Sequence, residues 1–127
     1  MEGGQTNEFR PLILVAEDDD SNFKLIKAII GKKCDIQWAK NGEEIVALFK
    51  EYGNEAKAIL MDIKMPVMNG LDATKIIRGE NKEIPIIMQT AYAFSSDKEN
   101  AMNAGASEVL VKPITLSILR NLSLIHI

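Results

Sequence analysis

A chain of 127 residues, 46% of them apolar, is the size of one domain and buries roughly two-thirds of its unfolded surface on folding, so it needs neither disulfides nor a structural metal. Fifteen basic against eighteen acidic residues leave a formal charge of −3, which argues against a nucleic-acid or anionic-membrane surface in this domain. One cysteine, Cys34, and one histidine, His126, exclude an internal disulfide and a zinc cluster and fit a reducing, cytoplasmic setting, and no apolar run approaches the roughly 18 residues of a membrane span.

Residues 1–10 are polar and glycine-bearing and read as a disordered lead or linker remnant, with residues 11–127 as the folded domain. Leu12-Ile13-Leu14-Val15-Ala16 is continuously apolar and β-branched, as in a strand buried on both faces, and it runs into four acids, Glu17 to Asp20. Residues 21–30 place Phe23, Ile26 and Ile30 at helical spacing, with Asp20 or Ser21 as N-cap and Gly31 as stop. Ile36 and Trp38 alternate with Gln37 in a more polar strand suited to a sheet edge, closed by Asn41-Gly42.

A second helix over 43–51 carries Ile45, Val46, Leu48 and Phe49, has acids in its first turn, and stops at Gly53. Ala58 to Met61 then reach a lone carboxylate, Asp62, before a Pro- and Gly-containing loop that leads to a helix from about Leu71 to Arg78, stopped by Gly79. Residues 85–90 form a fourth strand ending in Thr90, and residues 96–104 a fourth helix with so few apolar side chains that it is expected to be loosely held. A fifth strand at 109–111 ends at Lys112-Pro113, and Thr115 caps a fifth helix through Ile118, Leu119 and Leu122.

Five strands and five helices in regular alternation predict one doubly wound, flavodoxin-like α/β domain with a parallel sheet and helices on both faces. The economical strand order for this class and length is 2-1-3-4-5, and ligands of such sheets collect beyond the carboxyl ends of the strands. That order brings Glu17, Asp18, Asp62, Thr90 and Lys112 into one cleft. Three carboxylates in such a space either raise a pKa or bind a divalent cation, and all-oxygen ligation suits Mg²⁺. A carboxylate held there is able to attack phosphorus and form an acyl phosphate, so Asp62 is the candidate nucleophile, with Thr90 and Lys112 donating to phosphoryl oxygens. Taken singly each residue has a plainer role: Asp18 or Asp62 as a helix cap, Thr90 as a β-former, Lys112 as an exposed lysine. Their convergence carries the functional reading.

The chain closely resembles the receiver domain of two-component response regulators. The resemblance rests on Ile13-Leu14-Val15-Ala16-Glu17-Asp18-Asp19, Met61-Asp62-Ile63-Lys64-Met65-Pro66-Val67-Met68-Asn69-Gly70, Gln89-Thr90-Ala91-Tyr92-Ala93 and Val111-Lys112-Pro113-Ile114, in order and spacing from about Leu12 to the end. It implies that Asp62 is phosphorylated by a histidine kinase or a histidine phosphotransfer domain. It further implies that Glu17, Asp18, Asp62 and the backbone carbonyl of Lys64 hold Mg²⁺, while Thr90 and Lys112 contact the phosphoryl group. Asn22 and the runs around Met65 and Thr90 resemble receivers attached to hybrid sensor kinases, so an attached kinase or output domain is expected. The position three before Lys112, commonly aromatic in the family, is Val109, so the family's aromatic switch is not expected in its usual form.

The resemblance implies a module that catalyses its own phosphoryl transfer and slow loss rather than an enzyme with a separate substrate. The alternative is a phosphorylation-independent pseudo-receiver that serves as a protein-binding module. A haloacid-dehalogenase-like phosphatase needs an acid two residues after the nucleophile, where this chain has Lys64, and a flavodoxin-type cofactor protein needs a glycine and hydroxyl loop where this chain has Glu17 to Asp20.

Overall fold

The structure, a computed structural model, describes residues 10–91 and 96–112. Its elements run β1 (Leu12–Ala16), α1 (Asp20–Ile30), β2 (Asp35–Ala39), α2 (Gly42–Tyr52), β3 (Ala56–Asp62), α3 (Gly70–Glu80), β4 (Ile86–Thr90), α4 (Ser96–Ala104) and β5 (Glu108–Val111). All strand pairs are parallel, as the alternating pattern predicts, and the order is β2-β1-β3-β4-β5, the one expected of the fold class. The expected fifth helix and His126 lie outside the described residues, as does the lead through residue 9. The described chain begins at Arg10, one residue inside that expected lead. There the guanidinium donates to the carbonyls of Gly31, Lys32 and Cys34 and pairs with Asp35 at 2.9 Å, which fastens the start of β1 to the start of β2.

Strand alternation sorts the core into two faces. Leu14, Ile59, Met61, Ile86 and Met88 point toward α2, α3 and α4 and pack with Ile45, Phe49, Ala73, Ile77 and Ala101. Ile13, Val15, Ala58, Leu60 and Ile87 point the other way and pack under Phe23, Ile26 and Ile30 of α1. Every residue of β4, and of β3 from Ala58 onward, is buried, which is why both read as continuous apolar runs, whereas edge strand β2 is mostly half-buried. Helix α4 buries only Ala101 and Ala104, in keeping with the loose attachment expected of it.

Two helix ends differ from the spacing-based expectation. The N-cap of α1 is Asp19, not Asp20 or Ser21: its carboxylate accepts the N–H groups of Ser21 at 2.8 Å and Asn22 at 3.3 Å, so the helix starts one residue sooner. Helix α3 runs through Gly79, which has open space around it, and ends at Asn81. The Asn81 side chain accepts from Glu83 N–H at 2.8 Å and Ile84 N–H at 3.0 Å, building the turn that a glycine was expected to build.

Candidate functional site

The carboxyl ends of β1, β3, β4 and β5 meet at one cavity of about 210 Å³. Asp18, Asp19, Asp62, Ile63, Lys64, Thr90, Ala91 and Lys112 line it. A larger open hollow of about 500 Å³ lies at the opposite ends of the strands, between Arg10, Ile36, Tyr52 and Lys57, and no strand-end carboxylate trio faces it.

Asp62 ends β3 and is buried; the register that pairs it with Gln89 and Met61 with Ala16 sets it between β1 and β4. The loop beyond it is held close to the sheet. The Gly70 N–H donates to Ile63 O at 2.8 Å, and a side chain at Gly70 would bring its Cβ to 2.1 Å from Asp62 O, so only glycine fits. Between them the Met68 N–H donates to Pro66 O at 2.7 Å across Val67, whose φ of 69° makes this the strained form of a γ-turn. Val67 is also 73% exposed.

Glu17, Asp18 and Asp62 each offer a carboxylate oxygen within 4.8 Å of the others. Glu17 is fully buried and Asp18 exposed. Burial pushes the Glu17 carboxyl from its ordinary 4.5 up to about 7; the Asp62 charge adds to this, while the Asn22 amide, the Asp19 N–H and the Lys112 charge oppose it. Lys112 follows β5 directly. Its ammonium lies 2.9 Å from Asp62 Oδ2 and 3.6 Å from Glu17 Oε1. Burial works against that charge, but the Asp62 contact and the charges of Asp62, Glu17 and Asp18 outweigh it and hold the ammonium pKa above its usual value. Thr90 is buried at the end of β4, and its carbonyl accepts the Lys112 N–H at 2.8 Å, joining the ends of β4 and β5. Lys64 lines the cavity with its ammonium turned outward, 3.9 Å from Asp97 in the first turn of α4.

All six residues singled out in the sequence, Glu17, Asp18, Asp62, Lys64, Thr90 and Lys112, are therefore neighbours. Residue-level reading missed what surrounds Glu17. Its carboxylate accepts from Asn22 Nδ2, from Gln89 Nε2 at 3.4 Å and from the Asp19 N–H at 3.1 Å, and its backbone carbonyl accepts from Trp38 Nε1 at 2.7 Å. Trp38 is stacked on Phe23, ring centroids 3.9 Å apart. The available signal was Gln89 itself, an amide inside the otherwise apolar run Ile86 to Met88 that precedes Thr90.

The protein is thus a doubly wound α/β domain with a carboxylate trio, a lysine and a threonine gathered at its strand ends. The sequence profile of the response regulator receiver domain matches residues 13–123, and the chain belongs to that family. It is 41% identical over 115 residues to hybrid signal transduction histidine kinase I of Dictyostelium discoideum, an alignment covering 84% of this chain and 7% of that protein. The chain thus spans a small fraction of the hybrid kinases it matches. Among solved structures it resembles the receiver domain of sensor histidine kinase PA1611 from Pseudomonas aeruginosa, whose cleft coordinates a magnesium ion. That match has a TM-score of 0.81 and 31% identity, covering 90% of this chain and 94% of that one. It also resembles a chain of the co-crystal structure of the Saccharomyces cerevisiae phosphotransfer protein Ypd1 with the Ssk1 receiver domain, at a TM-score of 0.78 and 30% identity, covering 87% of this chain and 84% of that one.

Proposed function

We propose that this receiver domain is a phosphoacceptor in a phosphorelay: Asp62 takes a phosphoryl group from the phosphohistidine of a histidine kinase or histidine phosphotransfer domain. The change in charge then passes to an attached or partner domain. The observation that carries the reading is the pairing of buried Asp62 with the Lys112 ammonium at 2.9 Å, at the edge of a cavity that Thr90 also lines. The relatives support the donor class, since hybrid kinases and a phosphotransfer complex stand among them.

The donor set fits Mg²⁺. Glu17, Asp18 and Asp62 supply only carboxylate oxygens, with no nitrogen or sulfur ligand beside them among the described residues, and the Lys64 carbonyl would complete the protein's share. When bound, Mg²⁺ neutralises carboxylate and phosphoryl charge together. Asp62 attacks through one carboxylate oxygen; the new O–P bond forms as the P–N bond of phosphohistidine breaks and its electron pair returns to the imidazole. Lys112 and Thr90 donate to the transferring oxygens from the side of β4 and β5, stabilising charge where it accumulates. This chemistry makes the domain its own catalyst of transfer and of slow loss, not an enzyme with a separate substrate. The reading places it in the cytoplasm, alone or as the cytoplasmic part of a membrane-bound sensor, with contacts to protein partners rather than to nucleic acid or lipid; among the described residues no helix is long and apolar enough to cross a membrane.

The test is intact mass after incubation with a small-molecule phosphodonor and Mg²⁺. One phosphoryl adduct on the parent, absent with EDTA and absent from Asp62→Asn, is the expected result. No adduct where Mg²⁺ binding is demonstrable overturns the reading in favour of a phosphorylation-independent binding module.

A further inference from the structure

Gln89 lies in β4 between β3 and β5, and its side chain reaches past β3 to Glu17 at the end of β1. Its backbone carbonyl accepts the N–H of Ile63, the residue after Asp62, at 3.2 Å, and its register partner is Asp62 itself. At its side-chain amide, Nε2 donates to Glu17 Oε1 at 3.4 Å and Oε1 accepts from Asn22 Nδ2 at 3.4 Å. Gln89, Glu17 and Asn22 therefore form a closed ring of amide and carboxylate contacts beneath the carboxylate trio. Gln89 is 1% exposed and Glu17 is fully buried, so water cannot replace these bonds.

The ring distributes the two Glu17 oxygens unequally. Oε1 receives Asn22, Gln89 and the Lys112 ammonium, whereas Oε2 receives a single N–H, from Asp19. Oε1 is thereby occupied, and Oε2 keeps the free lone pair. A carboxylate on the long, otherwise rotatable arm of a glutamate would sample several orientations, and fixing one of them removes that freedom before a cation arrives.

We infer that Gln89 is a positioning residue: by filling Glu17 Oε1 together with Asn22, its side chain sets the Glu17 carboxylate in the orientation that a divalent cation beside Asp62 requires. The inference rests on the cation-assisted reading above. Partners that orient metal ligands typically change metal affinity by 10–100-fold when lost, and Gln89 touches one ligand by side chain and the neighbour of another by backbone. The side-chain loss alone is expected to fall at the lower end of that range.

The experiment is Mg²⁺ calorimetry on the full chain and on Gln89→Met, which keeps the unbranched length and removes both polar contacts, with thermal unfolding in EDTA alongside. Gln89→Asn, an amide too short to reach Glu17, serves if the Met variant is poorly folded. The expected result is a roughly tenfold weaker Mg²⁺ dissociation constant, with the rate of adduct formation from a small phosphodonor restored when Mg²⁺ is saturating. Unchanged Mg²⁺ affinity with a lowered unfolding temperature overturns the inference and leaves Gln89 a packing residue. Failure of the parent itself to bind Mg²⁺ is a different outcome, and it overturns the cation-assisted reading together with this one.

Discussion

Glu17 is a carboxylate that folding places wholly out of water, and the cost of ionising it there should be visible as a pH dependence of stability in the absence of metal. Its folded pKa of about 7 stands above its ordinary 4.5, with burial as the first cause and the Asp62 charge behind it. The folded protein then binds this proton more tightly than the unfolded chain. The stability this contributes is complete below pH 4.5 and is lost as the pH rises through the interval to about 7. At about 1.4 kcal/mol per pH unit the interval is worth on the order of 3 kcal/mol, or about 10 °C of unfolding temperature for a domain of this size. Glu17→Gln keeps the shape and carries no titration. Urea or thermal unfolding of both proteins from pH 4.5 to 8 in EDTA should show the parent losing stability relative to the variant across that window. Adding Mg²⁺ should close the difference, because a bound cation favours the ionised carboxylate. Parallel profiles for parent and variant in EDTA would refute the reasoning and mean that Asn22, Gln89 and Lys112 fully compensate the buried charge.

Replacing Lys112 by Met should separate binding from transfer. Removing a positive charge 2.9 Å from Asp62 strengthens Mg²⁺ binding, while losing a donor to the transferring group slows adduct formation by about 100-fold; an unchanged rate at saturating Mg²⁺ would remove Lys112 from the reaction. Val67→Gly should stabilise the domain by about 1 kcal/mol in urea unfolding. Relief of a β-branched residue held at a φ of 69° is worth roughly 1–3 kcal/mol, against roughly 0.4–1 kcal/mol of added unfolded-state entropy; a destabilised variant would show that the turn is not under strain.

Much of this architecture was legible because the sheet is parallel and buried. Strands such as Leu12–Ala16 and the Ile86–Met88 part of β4 are apolar on both faces, so the polar side chains that follow mark the strand ends, and in this chain that is where Glu17, Asp62, Gln89 and Thr90 stand. The site was legible for the same reason. What escaped was set by competition between neighbouring capping side chains and by contacts between elements distant in sequence. Glycine spacing predicted an end at Gly79, yet the side chain of Asn81 offered a better turn, and Asp19 outcompeted its neighbours as a cap. The Gln89 amide lies 72 positions from the carboxylate it contacts, beyond the reach of any local pattern.

The charge arrangement also indicates where a phosphoryl signal would travel. Three carboxylates face one close ammonium, and this surplus of negative charge disfavours an incoming phosphoryl group until a divalent cation cancels it. Once Asp62 carries the group, its charge of about −2 lies beside Lys112, already directed at that carboxylate. Lys112 is tied through its own N–H to the Thr90 carbonyl, and Lys64 on the facing loop is paired with Asp97 at the start of α4. A phosphoryl group on Asp62 would draw on both lysines, Lys112 from the end of β5 and Lys64 in competition with its Asp97 partner on α4. Helix α4, buried through two alanines only, yields at lower cost than α1, which is anchored to the sheet by Phe23, Ile26 and Ile30. Rearrangement on phosphorylation is therefore expected on the β4–α4–β5 side, with α1 and edge strand β2 keeping their packing.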